Sequence, residues 1–188
     1  MLKNISYSFT LGKIYILLGH SGSGKSTLLH LIANLLPITG GDITYNKRPI
    51  QQKDVALIMQ QPYFYGDLSI IDNININYLF SKKIKRSLLF DYCKRLQISH
   101  ILKQKASICS GGEKARANIV RGLLLAKPIL LIDEPTAHLD AANGREVAKL
   151  LQELCHTKII IITTHQRELF AFDNAVFLTI AEGRLYEN

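Results

Sequence analysis

The stretch Gly19-His20-Ser21-Gly22-Ser23-Gly24-Lys25-Ser26-Thr27 contains, over its first eight residues, the spacing G-x-x-x-x-G-K-[ST] of a phosphate-binding loop. The chemistry needs these residue types. Glycines let backbone N–H groups turn inward into a concave anion nest that side chains would obstruct. Lys25 can reach β- and γ-phosphate oxygens, and the Ser26 hydroxyl is a natural Mg²⁺ ligand. Thr27 sits in the first turn of a helix whose N-terminus points its free N–H groups and positive dipole end at the phosphates.

A second group of residues carries acid–base and metal chemistry. Asp133-Glu134 follows the apolar run Ile129-Leu130-Leu131-Ile132. In an open α/β sheet, ligands bind beyond the carboxyl ends of the strands. Asp133 is thereby placed to hold Mg²⁺, directly or through water. Glu134, one residue on, can orient or deprotonate a water attacking the γ-phosphate. Gln60 follows another apolar run, Val55 to Met59, and its amide can reach the metal or that water; taken alone it reads as a surface glutamine. Ser110-Gly111-Gly112-Glu113 opens a helix. It reads both as a capping box, with Glu113 at the third position, and as a second anion site. Asp140, in Ala137-His138-Leu139-Asp140, reads as the cap of the helix that follows. His165 stands after Ile159 to Thr164, at a further strand end, where a structural and a catalytic role are both open.

Positioning these groups requires strands alternating with helices. Lys13 to Leu18 reads as the buried strand before the phosphate loop, and Ser26 to Leu36 as the helix after it, stopped by Pro37. Alternation of Ile5, Tyr7 and Phe9 predicts a strand over 4–10. Ile43 to Tyr45 reads as a short strand, Asn46 to Pro49 as a turn, and Val55 to Met59 as a strand. From about Tyr63 to Lys105 the pattern turns helical, over 69–79 and 87–96, with basic loops between. A long helix is expected from Gly111 to Leu125, a strand over 129–132, and a helix over 143–154. Then follow a strand over 159–162, a short helix over 166–172, a strand over 175–179 and a terminal hairpin at Gly183 to Leu185. This order implies a mostly parallel sheet with crossover connections.

The 188 residues suffice for one domain with a proper core, plus a small inserted lobe. No apolar run reaches the ~18 residues that a membrane span needs, and Met1 to Ser6 lacks the apolar core of a signal peptide. Cys93, Cys109 and Cys155 are odd in number and scattered, which argues against a disulfide framework or zinc site and for a reducing cytoplasm. The net charge of +8 allows contact with nucleic acid or an anionic surface, and its densest run is Lys82-Lys83-Ile84-Lys85-Arg86. The plainer reading of that run is a solvated loop and helix start.

Taken together and in this order, the motifs resemble those of the ATP-binding cassette (ABC) ATPases. Walker A matches Gly19 to Thr27, with His20 at a variable position. The Q-loop glutamine matches Gln60, the signature matches Ser110 to Glu113, and Walker B matches Ile129 to Asp133 with catalytic Glu134. The D-loop matches Ala137 to Asp140, and the switch histidine matches His165. The likeness runs over nearly the whole chain. It implies a P-loop NTPase of α/β class with a RecA-like, mostly parallel core over about 1–60 and 118–188, and a helical subdomain over about 61–117. It further implies ATP and Mg²⁺ as ligands, the metal shared by Ser26, Gln60 and Asp133. Lys25, Gln60, Glu134 and His165 are the implied catalytic group, His165 on the γ-phosphate. In the family, the signature of one cassette closes on the ATP held by the P-loop of another. Two cassettes, identical or different, thus sandwich two ATPs and drive membrane subunits through the helical lobe.

The chain departs from the family pattern in places. The signature's usual leading leucine is Cys109 and its final glutamine is Glu113. Family members usually carry an earlier strand and an aromatic that stacks on adenine; Tyr7 and Phe9 fall too late to replace it. Either the start is truncated or the base is held weakly. Gln104 to Ile108 lacks the Glu-Arg-Gly-type segment of cassettes fused to exporter membrane domains. A subunit docking on separate integral membrane permease subunits, peripheral on the inner face of the cell membrane, is therefore expected, with no specific nucleic acid as partner. The alternatives are a non-transport cassette acting on nucleic acid or ribosomes and a simpler P-loop kinase. The kinase reading leaves the signature and His165 without a job.

Overall fold

A computed structural model describes residues 2–76 and 86–188. The end of the 69–79 helix expectation and the basic residues Lys82 to Lys85 lie outside the described residues.

Five apolar or β-branched runs form the parallel part of one sheet: β1 (Ile14–Leu18), β4 (Val55–Ile58), β5 (Ile129–Asp133), β6 (Ile159–Thr163) and β7 (Ala175–Ala181). β8 (Arg184–Glu187) adds an antiparallel edge, in the order β4-β5-β6-β1-β7-β8. Successive side chains of a strand point to opposite faces, and a parallel sheet needs both covered. Ile14, Ile16, Leu130, Ile132, Ile160 and Ile162 accordingly pack with α4 (Gly111–Leu124) and α5 (Ala141–Leu154). Tyr15, Leu17, Leu131 and Ile161 pack on the other side, against Leu28, Leu29 and Ile32 of α1 (Lys25–Ile32). The first cluster continues into the helical segment, through Ile70 and Ile74 of α2 (Ile70–Asn75) and Leu89 and Cys93 of α3 (Arg86–Arg95).

The sheet order decides where the chemistry goes. β4, β5, β6 and β1 are four consecutive parallel neighbours. Their carboxyl ends therefore lie side by side and lead into Gln60, Asp133-Glu134, His165 and Gly19 respectively.

Several local expectations change. Residues 4–10 join no ladder. Ile5, Tyr7 and Phe9 do share a face, but that face lies on the sheet itself: Phe9 meets Tyr15 edge-on at 4.9 Å and the Tyr15 hydroxyl accepts from Thr10 N at 2.8 Å. A segment lying across a sheet face cannot offer its backbone to a sheet edge. α1 ends at Ile32 rather than Leu36, because Asn34 takes a left-handed φ of 55°, which a short polar side chain tolerates and which stops a helix. The turn read over 46–49 contracts to Asn46-Lys47, φ 50° and 62°. This two-residue hairpin turn joins β2 (Thr44–Tyr45) to β3 (Arg48–Pro49). α5 begins two residues early, at Ala141, since Asp140 caps it. The helix expected over 166–172 is only a 3₁₀ turn, Arg167–Phe170, held by buried Phe170. β6 and β7 run one and two residues longer than read, to Thr163 and Ala181.

Candidate active site

The phosphate loop links β1 to α1 and keeps its shape by backbone conformation. Gly19, Gly22 and Gly24 have φ of 148°, 78° and 106°, a region that side chains strain. A Cβ on Gly19 would lie 2.5 Å from Ser23 Oγ and 2.8 Å from the Ile180 carbonyl, so that position also needs the space. Lys25, only 9% exposed, folds back over the loop, its Nζ donating to the carbonyls of Gly19 at 2.7 Å and His20 at 3.1 Å. That places the ammonium at the centre of the curve. Ser21, Ser23, Ser26 and Thr27 complete it, and His20 turns its ring to the Ser21 carbonyl.

Asp133 ends β5 directly across from the loop. Ser26 Oγ donates to Asp133 Oδ2 at 2.8 Å, and Thr163 Oγ1 donates to Oδ1 at 2.5 Å. The carboxylate is thereby fixed between two hydroxyls. Ser26 Oγ, Asp133 and the Gln60 amide are hard oxygen donors, one of them charged. This is the set that suits a Mg²⁺ sharing its shell with phosphate oxygens. No cluster of three His, Cys, Asp or Glu able to hold a metal on its own occurs among the described residues.

Glu134 sits at φ 50°, uncommon for a residue with a side chain. Its N–H donates to both the carbonyl and Oγ1 of Thr163, each at 3.1 Å, which holds the bend. Oε2 accepts from the His165 backbone N–H at 3.3 Å. Oε1 lies 3.3 Å from His165 Nε2 without hydrogen-bond geometry and finds no other protein donor. That unengaged oxygen is one a water could use. Gln60, Asp133, Glu134, Asn118 and His138 line one small cavity, so Gln60 and the carboxylates do come together.

Ser110 caps α4 in the expected box. Its N–H and Oγ donate to Glu113 Oε2 at 2.8 and 2.9 Å, and Glu113 N–H donates to Ser110 Oγ at 3.3 Å. These bonds, with His100 beside it, hold the Glu113 carboxyl below its usual range. A Cβ on Gly112 would meet the His138 carbonyl at 3.0 Å, with Leu139 and Arg116 next; none of these belongs to the phosphate loop. Asp140 caps α5 by accepting from Asn143 N–H at 2.9 Å, which with the Asn143 side chain lowers its pKa.

Thr163 escaped the reading of the sequence. It is fully buried and serves Asp133 and Glu134 together. The signal was a hydroxyl at the end of an all-isoleucine run, but its meaning depends on the register that sets Thr163 opposite Asp133. Thr163→Val keeps the volume and leaves Asp133 one donor short, so it is expected to cost about 1–3 kcal/mol. This is read as a lower urea midpoint at unchanged slope, with Thr163→Ser close to the parent chain.

Known proteins share this family and this fold. A family model described as ABC transporter matches residues 2–137. HrtA of Staphylococcus haemolyticus, named as an ATP-binding protein of hemin import, is 34% identical over 98% of this chain and 90% of its own length. The lipoprotein-releasing system ATP-binding protein LolD of Buchnera aphidicola is 31% identical over 90% of this chain and 81% of its own. Among solved structures, the ATP-binding cassette MJ0796, a dimer bound to ADP and Pi, superposes with a TM-score of 0.88 at 24% identity. It covers 100% of this chain and 89% of that one, and shows likeness of fold. CbiO1 from Clostridium perfringens, part of the ABC transporter complex cbiONQ, gives 0.82 at 27% identity, over 98% and 80%. With the phosphate loop, the Asp133-Glu134 pair and the capped turn at Ser110 on one scaffold, the chain belongs to the ABC transporter family, as one of its ATP-binding, ATP-hydrolysing subunits.

Proposed function

We propose that this subunit hydrolyses ATP as a cassette dimer and passes the resulting motion to separate membrane-spanning subunits through residues of about 61–117. The observation that carries the dimer is the separation of two donor sets. One is the loop Gly19 to Thr27 with its Lys25 ammonium. The other is the opening of α4, whose Gly112 is neighboured by His138, Leu139 and Arg116 instead. Helix N-termini favour anions, so the second set serves a nucleotide held by another cassette, with Ser110, Gly111 and Gly112 facing its phosphate and Asp140 shaping the adjoining turn.

Within one site the residues divide the work. Lys25 and the loop amides hold the β- and γ-phosphates. Ser26, Asp133 and Gln60 hold Mg²⁺, which when bound neutralises developing phosphate charge. Glu134 takes the proton of the water that attacks γ-phosphorus as the bond to the β-bridging oxygen breaks, giving ADP and phosphate. His165 contacts the γ-phosphate and, through its backbone N–H, keeps Glu134 in place. No helix among the described residues is long and apolar enough to cross a membrane. In this proposal the membrane passage is formed by the partner subunits, against whose inner face this one sits.

Turnover per molecule is expected to rise with protein concentration and to level off where the ATP-bound dimer saturates. Phosphate release measured across a dilution series checks this. Full specific activity in a strict monomer overturns the proposal.

A further inference from the structure

α4 is capped by Ser110, and its middle turns lie along the segment that carries Gln60. A Cβ on Gly122 would stand 2.4 Å from Ile58, so the helix rests directly on the end of β4. One turn earlier, Asn118 is buried, 7% exposed, and its Nδ2 donates to the Met59 carbonyl at 3.2 Å. Its Oδ1 in turn accepts from Arg121 Nη2 at 2.7 Å. Arg121 Nη1 donates to the Tyr63 carbonyl at 2.8 Å, and its guanidinium lies 4.7 Å from the ring centre of Phe64. The chain from Ile58 to Phe64 is thus gripped at both ends by one helix. Gln60 stands between the two grips and is itself exposed.

A polar side chain buried at this depth usually answers a specific partner, and Asn118 answers two at once. It takes the orientation of its amide from Arg121 and gives its N–H to the residue directly before Gln60. It also lines the cavity that Gln60 shares with Asp133 and Glu134. We infer that Asn118 and Arg121 are positioning residues for Gln60, and that α4 acts as a rigid splint tying Gln60 of one site to the signature turn offered to the other nucleotide. The inference rests on the proposal that Gln60 serves hydrolysis. Its consequence is mechanical. A shift of Ser110 when the second nucleotide arrives moves the same helix that sets Gln60, a continuous run of 14 residues.

A double-mutant cycle tests it. Asn118→Ala and Gln60→Ala should each lower kcat about tenfold to a hundredfold, the scale of a misplaced catalytic group, and Asn118→Ala, which touches no ligand, should leave the Kd for a fluorescent ATP analogue within about twofold of the parent. The double variant should be no slower than Gln60→Ala alone. Asn118→Asp guards against a mere packing defect. It keeps the volume and the acceptor for Arg121 but cannot donate to Met59, and it should reproduce the loss of kcat. A double variant slower by the product of the single effects, or Asn118→Asp turning over like the parent, overturns the inference. A Glu134→Gln chain that forms an ATP-dependent dimer on light scattering shows that the cassette reading survives such a result. Failure of that dimer to form overturns the two-cassette proposal and the link to a second nucleotide with it.

Discussion

A Glu134→Gln chain is expected to bind ATP normally and to release phosphate about 10²–10⁴-fold more slowly than the parent. The substitution keeps volume and most of the surroundings. Glu134 is bent into place by its backbone bonds to Thr163, and an amide oxygen can still accept from the His165 N–H. What disappears is the ability to take a proton from water. ATP then persists at the site, and the ATP-bound dimer should accumulate, visible as a doubled mass in solution at saturating ATP. Turnover like the parent's would remove Glu134 from the role of base. A slow chain that stays monomeric in ATP would instead count against the two-cassette arrangement.

Lys25→Ala is the second large effect. The ammonium is the charged group at the centre of the loop, and it also ties together the carbonyls of Gly19 and His20. Its loss removes a buried cation from the middle of the loop and frees two carbonyls to splay it. Truncating one partner of such a pair costs about 2–5 kcal/mol, at least about thirtyfold in Kd. Titration with a fluorescent ATP analogue measures it, and a Kd within about threefold of the parent value would show that the amides alone hold the nucleotide.

How much of this was legible depends on whether a feature is local. The phosphate loop needs consecutive residues, so its spacing announces it. The four strands that carry Gln60, the Asp133-Glu134 pair, His165 and the loop are uninterrupted apolar runs ending in polar residues, and the capped turn at Ser110 is a four-residue pattern. Each could be read one stretch at a time. What could not be read is anything decided between stretches. Thr163 matters because register sets it opposite Asp133. Asn118 matters because α4 lies along β4 and brings it to Met59. Neither pairing has a signature in its own neighbourhood. Ile5, Tyr7 and Phe9 show the reverse error. Their alternation was real, but alternation reports which side is apolar and not whether a backbone edge is within reach. Asn34 and the residues around Phe170 ended or reduced helices that periodicity alone would have extended, because one backbone dihedral or one anchoring side chain outweighs a weak stripe.

The box that closes the start of α4 has a further effect on what can settle there. Glu113 already draws the Ser110 N–H and hydroxyl to itself. A phosphate that takes the Ser110 N–H or hydroxyl must first turn the chain's own carboxylate aside. One anion replaces another, so the gain is the small difference between two similar attractions. A doorway kept by such a stand-in admits a guest readily and lets it leave without a struggle, which suits the reopening that the proposed two-cassette cycle requires.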